Sequence, residues 1–560
     1  MQEIFSSSFL LYTSRLLEEE IVGVALIVMI LVLAAMVLYI VLSEYLTRRQ
    51  ILETSCRFIR HKASSAFLGA TISFESTSTP HVIIGGGIAG LLCACICKSF
   101  SIPFKLYEKD SQRTGGLLGT FQMMMTNTNN GREEIIGIAE QAANGILWSQ
   151  EVEYLLTKIG ISDLNEKPVN VDNTSSPILI TPKKTAKARY FYRNGSISQL
   201  PLTLWEILYV LCWRMWRLPL RTGKKSLFDT LEEFFIFYMG ETVTRQILEP
   251  AFSGIYGTTL NNLSFEGTMV LFPKLMEHSV SLPLAIVKYS LRNLWNRCVE
   301  KKHDTKKTQN KVGTTHSFKF GMQQFIDALQ NYVGQEHIIL GKTIDNLCEF
   351  DLQNSKIILT TPAYETCRIL NNTFMTLHEN SDKFEEWQQQ IIDYLSSIRY
   401  TPIMTCTVIV KKSVFQKWKP GFGCLIPRNE GLSIMGVLFN SEIFEDRVLD
   451  EATSVSMTAI LQDTDPNVTD ENIQQRVISE LGQLFCEHGH GTIQRISQMK
   501  LFRWKHGLPQ YSPSLQVARH GIDRWLRHMC PNLTLFGNYT GQISIRGMIT
   551  EAVKQMLKEQ

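Results

Sequence analysis

Three features are scarce or missing in this chain of 560 residues: an excess of charge of one sign, cysteines in metal-binding spacing, and internal repeats. Lysine and arginine number 56 against 53 for aspartate and glutamate, so the net charge is only +3. This balance lacks the basic surplus of nucleic-acid-binding proteins, and we exclude nucleic acid as a partner. The length and the 44% apolar share instead predict two or three globular domains with sizeable cores.

The twelve cysteines are scattered along the chain. They show none of the paired spacings that bind zinc, and we predict no metal site. Cys93, Cys95 and Cys97 fall on a helix expected after a glycine-rich turn, where small thiols simply pack. So many unpaired cysteines favour a reducing compartment.

One long apolar run is present near the N-terminus. Residues 21–42 form an uninterrupted stretch of the length that spans a bilayer as a helix. Acidic rather than basic residues precede it, which argues against a cleavable signal. The basic residues that follow it are Arg48, Arg49, Arg57, Arg60 and Lys62. The sequence therefore predicts a single-pass transmembrane helix, with the body of the protein in the cytoplasm or in the matrix of an organelle.

The rest of the chain is organised around a glycine-rich stretch. Val82–Ile84 predicts a short buried strand, and Gly85, Gly87 and Gly90 supply the spacing G-x-G-x-x-G. Glu108 ends a second predicted strand about 20 residues later, at the place of a ribose-binding carboxylate. The glycines alone could come from a tight turn in any doubly wound sheet. Strand, glycines, helix and acidic residue together predict a dinucleotide site.

A second glycine pair decides which dinucleotide is expected. Gly115 and Gly116 stand in the segment 113–120, directly after the acidic strand. Such a pair resembles the flavoproteins of the amine oxidase and protoporphyrinogen oxidase superfamily, in which this loop wraps the FAD. An ordinary glycine-rich surface loop is the alternative. We expect FAD as the cofactor.

Three later segments carry further structural signals. Residues 188–195 alternate in polarity and end in Asn-Gly, which predicts a β-hairpin. Residues 201–220 form an apolar helix rich in tryptophan and arginine; this composition is typical of a membrane interface, and a buried core helix is the equal alternative. Residues 533–546 predict a strand, a glycine turn and a helix start, where a polar cofactor edge could bind.

The order of motifs from residue 81 to residue 560 resembles the FAD-dependent protoporphyrinogen oxidases. The segments that carry this resemblance are 189–201, 248–256, 317–329, 421–427, 436–439 with 444–447, 508–511 and 537–538. These middle segments are more specific than the glycine motifs, which would suit any amine oxidase.

The chain also departs from that family. Members generally have no transmembrane helix before the flavin domain, and Leu117 stands where the second glycine loop usually carries a bulky or basic residue. The segment 140–145 lacks the usual Gly-Pro or Gly-Ala, and the last helix begins Ile545-Arg-Gly-Met rather than with small and acidic residues. These departures weaken the expectation about the substrate more than the expectation about the cofactor.

The resemblance implies which residues bind FAD. The expected contacts to the dinucleotide are Gly85, Gly87, Ile88, Ala89, Gly90, Glu108, Lys109, Gly115, Gly116, Leu117, Glu140 and Ile344. The expected contacts at the isoalloxazine end are Trp504, Asn538, Ile543, Ser544 and Ile545.

The resemblance also implies a substrate site. Arg189 matches a family arginine that pairs with a porphyrin propionate, and an arginine fork suits a carboxylate. A structural ion pair in the hairpin is the alternative. Phe252, Gly254, Leu425 and Phe439 are expected to line an apolar slot for the flat macrocycle. We identify no catalytic acid or base.

The predicted fold class is α/β (α+β): a Rossmann-like FAD-binding domain, an inserted mixed-sheet substrate domain, a helical membrane-associating subdomain and one N-terminal transmembrane helix. The expected boundaries are 1–79 for the anchor and linker, 80–150, 311–365 and 501–560 for the FAD-binding domain, 151–310 for the helical substrate and membrane-associating region, and 366–500 for the substrate-binding sheet.

By the resemblance, the chain would oxidise protoporphyrinogen IX to protoporphyrin IX in haem biosynthesis, through hydride transfer from a meso carbon to FAD. The alternatives are a coproporphyrinogen oxidase of the same family, a flavin amine or carotenoid-type oxidase, and an inactive flavin-fold membrane protein. Oxygen or a quinone would accept the electrons, and membrane lipid would be a partner. Whether the chain forms a homodimer is left open.

Overall fold

In a computed structural model, the chain is described over residues 79–126, 131–161, 178–199, 202, 204–210, 214, 228–268, 313–377, 382–415, 417–462, 465, 467–486, 496–541 and 543–557. The predicted transmembrane helix at residues 21–42 and most of the segment 201–220 lie outside these residues. Among the described helices, none is long and apolar enough to cross a membrane.

The strands, in chain order, are β1 His81–Ile84, β2 Phe104–Tyr107, β3 Thr120–Thr126, β4 Glu133–Glu140, β5 Ile146–Leu147, β6 Leu179–Ile180, β7 Arg189–Arg193, β8 Ser196–Ser198, β9 Thr315–Phe318, β10 Ile338–Ile339, β11 Lys356–Leu359, β12 Tyr400–Lys411, β13 Gly423–Leu425, β14 Ile434–Leu438, β15 Ser454–Gln462, β16 Ile496–Pro509 and β17 Leu533–Leu535.

The α-helices, in chain order, are α1 Ile88–Ser99, α2 Gln150–Lys158, α3 Leu204–Tyr209, α4 Leu231–Met239, α5 Glu241–Val243, α6 Glu249–Tyr256, α7 Phe265–Thr268, α8 Gln323–Val333, α9 Ala363–Leu377, α10 Asp382–Ser396, α11 Asn440–Ile443, α12 Asp470–Phe485, α13 Pro513–Met529 and α14 Ile545–Leu557.

The chain divides into two compact units. The larger contains residues 69–203, 224–270 and 301–560. The smaller contains residues 1–68, 204–223 and 271–300. Its described residues form the short helix α3, in which Trp205 is 80% exposed.

A five-stranded parallel sheet forms the first layer of the larger unit. Its strand order is β10-β2-β1-β11-β17, and its strands come from three distant parts of the chain. All four residues of β1 are buried, as expected for a parallel strand covered on both faces. This sheet confirms the Rossmann-like part of the predicted fold.

Helix α1 follows β1 and is buried along most of its length. It packs in one core with helices α2, α8 and α14. Cys93, Cys95 and Cys97 are fully buried there as free thiols, and burial raises the pKa of Cys97 to about 12. The prediction that these small thiols simply pack is confirmed.

A seven-stranded mixed sheet forms the second layer, in the order β16-β12-β15-β14-β13-β7-β8. One face is covered by helix α12, whose Ile473, Val477 and Leu481 lie in a core with alternate residues of the strands. The predicted hairpin is present as β7 and β8, and Asn194 and Gly195 both have positive φ at its turn.

The strand bounds differ from two of the expected boundaries. The hairpin β7–β8 was placed in a helical region, yet it pairs with β13 of the seven-stranded sheet. The expected boundary at residue 501 falls within β16, whose residues 496–509 pair with β12. Both strands are distant in sequence from their partners, so local patterns did not indicate the pairing.

Candidate functional site

The three glycines after β1 have distinct structural roles. Gly85 has a φ of +107°, which an L side chain rarely adopts. A Cβ atom on Gly90 would lie 1.9 Å from the carbonyl oxygen of Gly85, so only glycine lets α1 start this close to the strand. A Cβ atom on Gly87 would meet no atom within 4 Å. The backbone at Gly87 therefore faces open space at the carboxyl edge of the sheet, where dinucleotides bind.

Glu108 lies beside this turn, as predicted. Its Oε2 atom accepts a hydrogen bond from the Gly86 amide at 2.6 Å, and its Oε1 atom accepts one from the Asp110 amide at 2.9 Å. A Cβ atom on Gly86 would lie 2.8 Å from the Glu108 side chain. The carboxylate is thus fixed against the glycine turn.

The second glycine loop packs directly on the first. The Gly115 amide donates to the Gly86 carbonyl oxygen at 2.8 Å, and Gly87 and Gly115 form a parallel β-bridge. A Cβ atom on Gly116 would lie 3.3 Å from the Gly87 Cα atom. Two backbone loops without side chains therefore form one surface.

Arg113, for which the sequence patterns predicted no role, holds the second loop in shape. Its guanidinium donates to the carbonyl oxygens of Leu118 at 2.6 Å and Gly116 at 2.8 Å, and to Oε1 of Gln141 at 3.0 Å. An arginine two residues before a glycine pair was the available signal.

Thr360 was also missed. Its hydroxyl donates to the carbonyl oxygens of Ile84 and Gly85 at 3.0 Å and 2.7 Å. Thr360 directly follows β11 and supports the glycine turn from there. Strand β11 pairs with β1, although more than 270 residues separate them in the sequence. No local sequence pattern indicates such a partner.

The other residues expected at the dinucleotide are spread around these loops. Ile88 and Ala89 begin helix α1, Leu117 is half-buried and Lys109 is exposed. Ile344 is buried beyond β10. The segment before it runs along Glu108, because the Lys342 amide donates to the Glu108 carbonyl oxygen at 3.0 Å.

Glu140 lies deeper, and both of its oxygens have partners within the chain. Oε2 accepts from the Thr120 hydroxyl at 2.7 Å and Oε1 accepts from the Met322 amide at 3.0 Å. Burial raises the pKa of this carboxyl group, although the Arg447 guanidinium and the two hydrogen bonds oppose the shift. Arg447 is 1% exposed and donates to Ser317 Oγ at 2.6 Å. Arg447 thus bonds β9 and places a buried positive charge near Glu140 at the end of β4.

The residues expected at the isoalloxazine end come from two elements. Trp504 on β16 donates its Nε1 hydrogen to the Gln141 carbonyl oxygen at 2.9 Å. Asn538 lies in the turn after β17, where its carbonyl oxygen accepts from the Tyr511 hydroxyl at 2.6 Å. The residues that lead into α14 are Ile543, Ser544 and Ile545, and Ser544 Oγ accepts from the Gly547 amide.

These residues fit FAD. The glycine surface offers backbone room for a pyrophosphate, Glu108 is positioned for a ribose, and no side chain caps the start of α1, where an anion would bind. The link from Gln141 to Trp504 joins the glycine loops to the seven-stranded sheet.

The expected substrate residues divide between the two faces of the seven-stranded sheet. Tyr190 and Cys424 are buried on the face that packs on α12, so their neighbours Arg189 and Leu425 lie on the opposite face. A Cβ atom on Gly254 of α6 would lie 3.7 Å from Leu425 Cδ2. The structure thus brings Leu425 and Gly254 together, with Arg189 further along the same face.

Phe252 precedes this glycine on α6 and is half-buried. Its ring is stacked on Tyr256 with centroids 6.2 Å apart and lies 5.2 Å from Phe235. Tyr256 in turn lies 5.8 Å from Tyr511, whose hydroxyl bonds Asn538. Helix α6 therefore lies against Leu425 and is connected to Asn538 at the isoalloxazine end through Tyr511.

Phe439 corrects the expectation. It is 1% exposed and packs against Trp418 and Phe485 on the α12 side of the sheet. A register irregularity in β14 between Ile434 and Gly436 precedes it. Because successive side chains alternate between faces, a strand irregularity changes which residues face the slot. Phe439 is a core residue.

No family model matches the chain. The chain is 23% identical over 512 residues to protoporphyrinogen oxidase 2, chloroplastic/mitochondrial, of Arabidopsis thaliana, which covers 84% of this chain and 92% of the relative. A structure assigned as a protoporphyrinogen oxidase from Exiguobacterium sp. 255-15 matches with a TM-score of 0.60 and 18% identity over 86% of this chain and 98% of that one. A putrescine oxidase variant matches with a TM-score of 0.51 and 11% identity over 85% and 98%.

The structural matches show that the chain has the mixed-sheet fold of FAD-dependent oxidases. The sequence match extends over most of both proteins and confirms the resemblance to the protoporphyrinogen oxidases.

Proposed function

We propose that this chain is an FAD-dependent oxidoreductase that converts protoporphyrinogen IX to protoporphyrin IX. The observation that carries the proposal is the position of α6, which contacts Leu425 on the open face of the seven-stranded sheet and, through Tyr256 and Tyr511, the turn at Asn538. The proposed substrate slot and the proposed flavin end therefore adjoin. The similarity to a protoporphyrinogen oxidase over most of the chain supports the choice of substrate.

The residues of the chain would position both reactants. Gly87, Gly115 and Gly116 would hold the pyrophosphate, and Glu108 the ribose. Trp504 would orient the isoalloxazine end through its hydrogen bond to Gln141. FAD, when bound, supplies the acceptor for a hydride from the substrate.

The slot would hold the macrocycle and exclude water. Leu425 and Phe252 supply apolar surface, and Gly254 lets a flat ring approach the α6 backbone. Arg189 is exposed at the edge, with its guanidinium 5.0 Å from the Phe422 ring centroid. A propionate would remain at this edge, because burial of an unpaired carboxylate is costly.

The decisive experiment is an anaerobic screen of flavin reduction. Protoporphyrinogen IX, coproporphyrinogen III, putrescine and a polyene are each mixed with the purified holoenzyme, and the loss of flavin absorbance is followed. We expect protoporphyrinogen to reduce the flavin. Reduction by putrescine alone would contradict the proposal and favour an amine oxidase. A purified protein without flavin would favour the inactive membrane protein.

The membrane part of the proposal depends on residues 21–42. We propose one transmembrane helix there, lipid as a partner, and the catalytic body in the cytoplasm or an organelle matrix. Alkaline carbonate should leave the protein in the membrane fraction, and deletion of residues 1–62 should release part of it. Full extraction by carbonate would contradict this topology. Oxygen or a quinone as acceptor, and a homodimer, are the remaining parts of the proposal.

A further inference from the structure

A basic pocket adjoins Arg189. It has a volume of about 570 Å³, and its lining includes Lys184, Lys187 and Arg189 together with Gln199 and Pro420. Three of its lining residues are cationic and none is acidic. The pocket is shallow and open to solvent, so a group bound there would be covered on one side.

The three cations have no acidic partner among the described residues. Lys184, Lys187 and Arg189 are all exposed, and none of them takes part in an ion pair with a described carboxylate. The preceding residue, Lys183, is different: its Nζ atom donates to the Ser441 carbonyl oxygen at 2.8 Å and pairs with Glu451 at 2.6 Å. Lys183 therefore anchors the segment, and the charges that follow it remain available to a ligand.

The pocket opens beside the proposed slot. Arg189 is in register with Gly423, and Leu425 is two residues further along the same strand. At about 3.3 Å per residue this separation is about 7 Å along the strand. A macrocycle against Leu425 would therefore carry its peripheral carboxylates toward the three cations.

We propose that Lys184 and Lys187, beside Arg189, bind further carboxylates of the tetrapyrrole, so that the binding affinity increases with the number of carboxylates. This inference rests on the proposed function. Ammonium groups on flexible stems suit propionates at variable positions, whereas the arginine fork fixes one carboxylate. Affinity should rise from an uncharged ester to a dicarboxylate and again to a tetracarboxylate of the coproporphyrinogen class.

The test compares the double variant Lys184→Gln/Lys187→Gln with wild type and with Lys98→Gln/Lys554→Gln. The control removes two exposed lysines from helices α1 and α14, away from the pocket. Protoporphyrin IX dimethyl ester, protoporphyrin IX and coproporphyrin III are titrated into each holoprotein, and binding is followed by porphyrin fluorescence. Flavin content and melting temperature check that each variant is folded.

We expect the pocket variant to lose about tenfold in affinity for coproporphyrin III, less for protoporphyrin IX and nothing for the ester. The control should match wild type. Equal affinities of wild type and pocket variant for coproporphyrin III would overturn the inference. A pocket variant that loses binding only to vesicles of phosphatidylglycerol, with unchanged porphyrin affinities, would also overturn it and would identify a lipid site.

A second measurement needs no variant. In wild type, the ratio of the coproporphyrin to the protoporphyrin affinity should fall toward one as NaCl is raised, because salt screens exposed charges. A ratio that does not change with salt would contradict the pocket. A wild type that neither binds these porphyrins nor oxidises their porphyrinogens would refute the proposed function itself. Porphyrinogen turnover with no effect of the lysines would refute only this inference.

Discussion

The two sheets of the larger unit place their functional residues in different ways. At the parallel sheet the proposed FAD site consists mainly of backbone, since a Cβ atom on Gly87 would meet no atom within 4 Å and Gly116 is exposed beside it. At the seven-stranded sheet the proposed substrate site consists of side chains, and their role depends on the face they occupy. The comparison shows that a glycine spacing fixes one site directly, whereas strand register must be known before the other can be assigned.

The largest expected effect is the loss of FAD in Gly87→Val. The new side chain would occupy the open space proposed for the pyrophosphate, while it meets no protein atom at its Cβ position. Flavin absorbance should disappear, and the free energy of unfolding of the apoprotein should change by less than about 1 kcal/mol. Gly90→Ala is the contrasting control, because its Cβ atom would overlap the Gly85 carbonyl and destabilise the apoprotein. Full flavin occupancy in Gly87→Val would disprove this placement of the site.

Arg447→Met should lower the free energy of unfolding by about 3–5 kcal/mol. It would leave Glu140 buried without the nearby positive charge of Arg447, and it would remove the Arg447 hydrogen bonds to Ser317 Oγ and to the carbonyl oxygens of Phe318 and Lys319. Urea unfolding of the apoprotein measures the loss. The double variant Arg447→Met/Glu140→Gln should recover part of it. An unchanged midpoint for Arg447→Met would show that neither its bonds to β9 nor its charge near Glu140 stabilises the fold.

Phe439→Ala and Leu425→Ala test the two faces of the seven-stranded sheet. Phe439→Ala should cost about 3 kcal/mol of stability, because it leaves a cavity between Trp418 and Phe485. Leu425→Ala should change stability less and raise KM for the porphyrinogen. Urea unfolding and steady-state kinetics measure both quantities. The reverse result, with KM raised only by Phe439→Ala, would invert the assignment of the faces.

Arg189→Ala should raise KM for protoporphyrinogen about tenfold and leave flavin content and melting temperature near wild type. Arg189 is exposed, so the loss of its charge should affect the substrate rather than the fold. Arg189→Lys should restore only part of the affinity, since an ammonium lacks the fork of a guanidinium. A variant that unfolds would instead support the structural alternative.

The smallest expected effect concerns Glu140 and pH. Burial raises the pKa of this carboxyl group, so between its ordinary and its raised pKa the folded state binds more protons than the unfolded state. The contribution of Glu140 to stability therefore falls as pH rises through this window. Glu140→Gln should lack this dependence, and its stability relative to wild type should increase as pH rises. Unfolding curves between about pH 4 and pH 7 measure the difference. Parallel pH profiles would contradict it.

The parts of the fold that were predicted correctly depend on local geometry. The strand before Gly85, the turn glycines, Glu108 and the Asn194-Gly195 hairpin each follow from residue types within a few positions, or at one fixed spacing. The resemblance to a family supplied the residues at greater distance. Their contacts with FAD and substrate remain predictions.

The residues that were missed or misplaced depend on distant pairings. Thr360 supports the glycine turn only because β11 lies beside β1, and Gln141 receives Trp504 only because β16 pairs with β12. Phe439 was expected on the slot side of the sheet. It lies on the other side because of the register irregularity in β14, which no sequence pattern shows.

The sequence by itself determined the dinucleotide turn, since a positive φ and a carbonyl 1.9 Å from the Cβ position tolerate only glycine at Gly85 and Gly90. It also determined the buried character of β1 and α1 through their continuous apolar runs. Only the tertiary structure decided which side of the seven-stranded sheet Leu425 and Phe439 occupy. Only that structure showed that Lys184, Lys187 and Arg189 share one pocket. The reason is that side-chain faces and charge clusters depend on the pairing of strands far apart in the chain, and a local pattern contains no information about that pairing.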